Sequence, residues 1–104
     1  MSTVVAEKAA VRPSLSLRRH RSAVLRLIEE TGAQNPRVFG SVARGEDTPD
    51  SNIDILVRVN PARAWDFVDL PNRLCHLLGT RVDVVSEGGI TAKHAAIVAE
   101  AIPL

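Results

Sequence analysis

The 104 residues predict an α+β domain: a small mixed β-sheet with helices packed largely on one face. Three observations carry that prediction. The run Asn52 to Val59 alternates with a period of two, which puts Ile53, Ile55, Val57 and Val59 on one face and Asn52, Asp54, Leu56 and Arg58 on the other. Short apolar runs at Val38-Phe39 and at Val82 to Val85, bounded by turn residues, read as two further strands. Between and around them Leu17, Val24, Leu27 and Ile28, then Leu74, Leu77 and Leu78, then Ile97, Val98, Ala101 and Ile102 recur at helical spacing.

Taken in order, residues 1–13 predict a loosely ordered tail and residues 14–104 a single domain. Ser14 after Pro13 is a candidate N-cap for an amphipathic helix that Gly32 ends. Arg18, Arg19, Arg26, Glu29 and Glu30 fall on its outer face, with His20 and Arg21 near the edge, which reads as a solvated surface. The strand that follows stops at Gly40-Ser41. Glu46, Asp47 and Asp50 in the next loop read as solvated turn residues. After the alternating strand, Asn60-Pro61 is an N-cap followed by proline at the first helical position. Trp65, Phe67 and Val68 are expected in the core. Pro71 lacks the N–H a helix ladder needs, so a break is expected near Leu70, and Gly79 should cap the second piece. The strand Arg81 to Val85 places Val82 and Val84 opposite Asp83. Gly88-Gly89 is a turn, Thr91 an N-cap, and Pro103 the stop of the last helix.

Composition narrows the function classes. A chain of this length builds one core and leaves no room for a separate acceptor-binding domain, so a second reactant is expected to arrive on another molecule. A net charge of +1 supplies no overall basic field for nucleic acid, and only the arginine-rich first helix points that way. The single cysteine, Cys75, lies among leucines and reads as a buried, inert thiol in a reducing compartment. No apolar run is of membrane-spanning length, and Met1 to Arg12 has no signal-peptide pattern. A soluble cytoplasmic protein is therefore expected.

The chemistry concentrates between Arg37 and Val59. Asn52 and Asp54 point to the same side of their strand, and Asp83 can share that side from the neighbouring one. Gly40-Ser41 at a strand end lets backbone amides approach an anion, and Ser41 to Arg44 is placed to open a helix. The combination reads as a triphosphate cradle facing a metal site.

Gly40-Ser41, the spacer Val42 to Ser51, Asn52-Ile53-Asp54 and the later Asp83 resemble the signature of the minimal nucleotidyltransferases of the DNA polymerase beta superfamily. That signature is Gly-Ser, a spacer, Asp-x-Asp, and a third Asp on a later strand. The resemblance runs from about Leu15 to Leu104 and includes the closing A-E-A-I-P-L. It implies the nucleotidyltransferase fold, with Gly40 and Ser41 holding the β- and γ-phosphates of ATP and Arg44 making a further phosphate contact. Asn52, Asp54 and Asp83 would hold one or two Mg2+ ions, and Asp83 would also orient or deprotonate the attacking hydroxyl. Asn52 departs from the pattern, which has Asp there; an amide offers a cation one neutral oxygen and an NH2 that repels it. Members of this family commonly pair, as antitoxins, with a HEPN-type ribonuclease toxin. The resemblance thus implies either an adenylyltransferase acting on such a toxin or a non-catalytic antitoxin that neutralises it by contact.

Overall fold

The computed structural model describes residues 12–89 and 95–104. Helices α1 (Pro13–Arg19) and α2 (Arg21–Glu30) lead into β1 (Gln34–Phe39) and the five-residue helix α3 (Gly40–Arg44). Next come β2 (Ile53–Arg58), a 3-10 turn (Pro61–Arg63), α4 (Ala64–Phe67), α5 (Leu70–Leu78) and β3 (Val82–Ser86). A second 3-10 turn (Glu87–Gly89), α6 (Ala95–Glu100) and β4 (Ile102–Pro103) complete the described chain. The strands form one sheet in the order β3-β2-β1-β4. β2 and β3 run parallel, while β1 is antiparallel to both β2 and β4, which is the mixed sheet expected.

The alternation of β2 sets the core. Ile53, Ile55 and Val57 have no exposed surface and pack with Val24 and Ile28 of α2 and Leu70, Leu74 and Leu78 of α5. Full burial of each such side chain is worth about 1.5–3 kcal/mol, so this face anchors β2 and fixes its register. The opposite face is less open than expected, because Leu56 is also fully buried, flanked in register by Arg37 and Val85. Arg37 Nη2 lies 3.0 Å from Glu87 Oε1, near enough for an ion pair but off the line of a hydrogen bond. Asn60 Oδ1 accepts from the Ala62 N–H at 3.0 Å, and Gly79 caps α5 with φ 68°, both as predicted.

Several expectations are corrected. The N-terminal helix is two helices that change direction at His20 (φ −111°, ψ 18°), and Ser14 lies within the first of them rather than capping it. The α1 end is tied down by tertiary contacts, since the Ser16 hydroxyl donates to the Leu78 carbonyl at 2.7 Å. Trp65 is 88% exposed and Val68 65% exposed; aliphatic side chains fill the core without them, and only Phe67 packs against it. The last helix stops at Glu100, and Ile102–Pro103 is an edge strand, where a proline is tolerated. Cys75 is half-buried, its sulfur accepting from the Val82 N–H at 3.2 Å. Residues 1–11 and Thr91 lie outside the described residues, whereas Arg12 is placed and Pro13 is buried at the start of α1.

Asp47 is the correction with an energetic consequence. Glu46 and Asp50 are exposed as expected, but Asp47 is buried and accepts from the Ser14 N–H at 2.8 Å and from Arg12 Nη2 at 3.1 Å. It satisfies a free amide of the first helical turn from a distant loop. Burial pushes its carboxyl up, but donation from Ser14 and the charge of Arg12 outweigh that and leave it below its ordinary value. A lowered carboxylate contributes stability above its unfolded-state pKa and loses it as pH falls through the folded-state value. Asp47→Ala is expected to lower stability by about 1–3 kcal/mol at neutral pH. Urea unfolding should show the gap between the two proteins closing in acid; a gap that persists there would show that Asp47 does not act through its charge.

Candidate active site

The site forms where β1 ends and β2 and β3 lie side by side. Phe39 pairs with Asp54 across the antiparallel ladder, and Asp54 pairs with Asp83 across the parallel one, so the two carboxylates occupy neighbouring positions on one face. The chain leaves β1 at Gly40 with φ 72° and enters α3 at once. A Cβ at Gly40 would come within 2.3 Å of Asp54 Oδ2, so the carboxylate rests on bare backbone. Only glycine combines that φ with that approach.

Asn52 lies just ahead of β2, half-buried, and its Nδ2 donates to Asp83 Oδ2 at 3.3 Å. Burial first, then the charge of Asp83, push the Asp54 carboxyl above its ordinary value, with Arg44 opposing and Glu100 adding to the effect. The raised Asp54 carboxyl beside the Asp83 carboxylate is a donor set that a cation would relieve. With the Asn52 amide oxygen turned inward they offer hard oxygen ligands suited to one dication. Among the described residues no three His, Cys, Asp or Glu side chains cluster closely enough to hold a metal, and the side chain beside Asp83 at position 52 is an amide.

The predicted phosphate ligands are also together. Gly40 and Arg44 open and close α3, with Ser41 half-buried between them. The Gly40 N–H and the Arg44 guanidinium are already engaged by a residue with no predicted role. Glu100, at the end of α6, accepts from the Gly40 N–H at 2.6 Å and from Arg44 Nη1 at 3.1 Å through each oxygen. Arg44 Nε donates in addition to Glu46 at 3.2 Å. The Gly40 N–H, then Arg44, hold the Glu100 carboxyl below its usual range. Glu100 stands sixty positions from Gly40 and belongs to the closing A-E-A-I-P-L, a segment that carried resemblance but no role.

A family model described as a nucleotidyltransferase domain matches residues 17–104, the stretch that holds every one of these groups. This chain belongs to that family. A solved structure provisionally assigned as a minimal nucleotidyltransferase superposes on this nucleotidyltransferase with a TM-score of 0.77 at 46% identity, covering 88% of this chain and 95% of that one. Protein adenylyltransferase MntA of Thermococcus cleftensis is 40% identical over 65 residues, 62% of this chain and 66% of that protein. A provisionally named protein adenylyltransferase of Methanocaldococcus jannaschii is 39% identical over 75 residues, 71% of this chain and 74% of that protein. A crystal structure of a toxin-antitoxin with AMP-PNP shares the fold at a TM-score of 0.62 and 22% identity, covering 77% of this chain and 68% of that one. No helix of the described residues is long and apolar enough to cross a membrane.

Proposed function

We propose that this nucleotidyltransferase transfers an adenylyl group from ATP to a hydroxyl of a partner protein, a HEPN-type toxin that it thereby silences. The observation that carries the reading is the register pairing of Asp54 with Asp83 beside the bare backbone of Gly40. It puts a candidate acid pair next to a candidate anion seat. Relatives named protein adenylyltransferases support the reaction class, and the toxin-antitoxin of like fold supports the kind of partner.

In this reading the Gly40 N–H, Ser41 and Arg44 hold the β- and γ-phosphates and aim the α-phosphorus at the acceptor. Asp54, Asp83 and the amide oxygen of Asn52 would hold Mg2+, which when bound neutralises charge on the phosphate oxygens. Asp83 orients the partner hydroxyl and takes its proton. The hydroxyl oxygen forms a bond to the α-phosphorus as the bond to the β-phosphate oxygen breaks, and pyrophosphate leaves. Positioning and charge supply most of the catalysis in such a transfer, so little covalent chemistry is asked of the side chains.

The contact from Asn52 to Asp83 favours a second reading, in which a weakened metal site leaves a non-catalytic antitoxin that binds its toxin. Incubation with ATP, Mg2+ and the product of the neighbouring gene, followed by intact-mass measurement, separates the two. Transfer adds the mass of an adenylyl group to the partner. An unmodified partner in a stable complex supports neutralisation by contact. No modification and no complex would refute both.

A further inference from the structure

The proposed anion seat is already filled from within the chain. Gly40 donates its backbone N–H to Glu100 at 2.6 Å, and Arg44 Nη1 contacts both oxygens of the same carboxylate. We infer that Glu100 is a built-in competitor of the nucleotide: its carboxylate occupies the phosphate position on Gly40 and Arg44 in the free protein, and a triphosphate binds by displacing it. The inference rests on the proposed nucleotide site.

Three features support it. A backbone amide carries one hydrogen, so Gly40 cannot serve Glu100 and a phosphate oxygen fully at the same time. A carboxylate held by an N–H and a guanidinium copies the donor pattern that recognises a phosphate oxygen. Glu100 is the last residue of α6, separated by Ala101 alone from the two-residue edge strand β4, and its side chain keeps 30% of its surface exposed. It can therefore swing away without opening the core. A purely structural role, with Glu100 pinning α6 to α3, predicts the opposite sign, because removing its charge would release Arg44 and weaken nucleotide binding.

Glu100→Gln keeps the shape of the side chain and an oxygen for the Gly40 N–H while removing the charge. Calorimetric titration with AMP-PNP and with inorganic tripolyphosphate, both with Mg2+, should show the Kd of each ligand falling by about tenfold or more relative to the unaltered protein. Equal or weaker binding by the variant would overturn the inference and leave the nucleotide site standing. Binding by neither protein would remove the nucleotide site and this inference with it. A measurement on the unaltered protein guards against a misfolded variant. Saturating AMP-PNP should shift the NMR signal of the Glu100 carboxylate carbon together with that of the Gly40 amide. A Glu100 signal that stays fixed while the Gly40 amide moves would also overturn it.

Discussion

Asn52→Asp is expected to raise adenylyl transfer about a hundredfold or more. The amide now donates to Asp83 at 3.3 Å, which uses one lone pair of a carboxylate that a metal would need. A carboxylate at the same point would add a negative charge in contact with bound dications, worth on the order of several kcal/mol even at a screened dielectric. If only part of that appears in the transition state, two decades of rate follow, since each 1.4 kcal/mol or so is tenfold. The variant carries three facing acids and should need metal more strongly for stability in turn. Initial rates from intact mass of the partner check the effect, and Asp83→Ala in the Asn52→Asp background should abolish transfer while leaving partner binding nearly unchanged. Equal rates for parent and variant would show that position 52 is not a metal ligand. Absence of transfer from both, with tight partner binding by both, would favour neutralisation by contact.

Gly40→Ala is expected to be the most damaging change in the loop. Its φ of 72° costs a residue with a Cβ about 1–2 kcal/mol. The added methyl would also lie 2.3 Å from Asp54 Oδ2, which either displaces the carboxylate or moves α3. A total loss of about 2–4 kcal/mol follows, a large share of the stability of a domain this size. It should lower the melting temperature by roughly 10 °C or more. Because the displaced group is Asp54, the proposed metal site and the proposed anion seat would be damaged together, so transfer should disappear even at temperatures where the variant is folded. A folded Gly40→Ala protein with unchanged transfer would show that Asp54 does not need to sit against the backbone.

Much of the geometry of the candidate site was legible because it is built from local rules. The period of two in β2 places Asp54 opposite the buried Ile53 and Ile55, and the same rule on β3 places Asp83 opposite Val82. The strand end at Gly40-Ser41 was readable from its glycine. Features that depend on distant partners were not. Glu100 reads locally as one more helical surface acid, and only the folded chain brings it to Gly40. Asp47 reads as a turn residue, and its burial depends on Arg12 and Ser14 across thirty-odd residues. Ile102–Pro103 is too short to alternate, so its pairing with Arg37 and Val38 is written in the sheet and not in the segment. Trp65 failed for a different reason, since bulk predicts burial only where a core face is left to fill, and α5 has already filled it.

The central claim is that Asp54, lying beside Asp83 and against Gly40, makes this face a site for a nucleoside triphosphate and its metal. Calorimetric titration of AMP-PNP with Mg2+ into the protein and into Asp54→Ala tests it most directly. The expected result is saturable binding to the parent, with the melting temperature rising with ligand concentration, and loss of both in Asp54→Ala. A folded parent that shows no binding at millimolar nucleotide, or an Asp54→Ala variant that binds as the parent does, would contradict it.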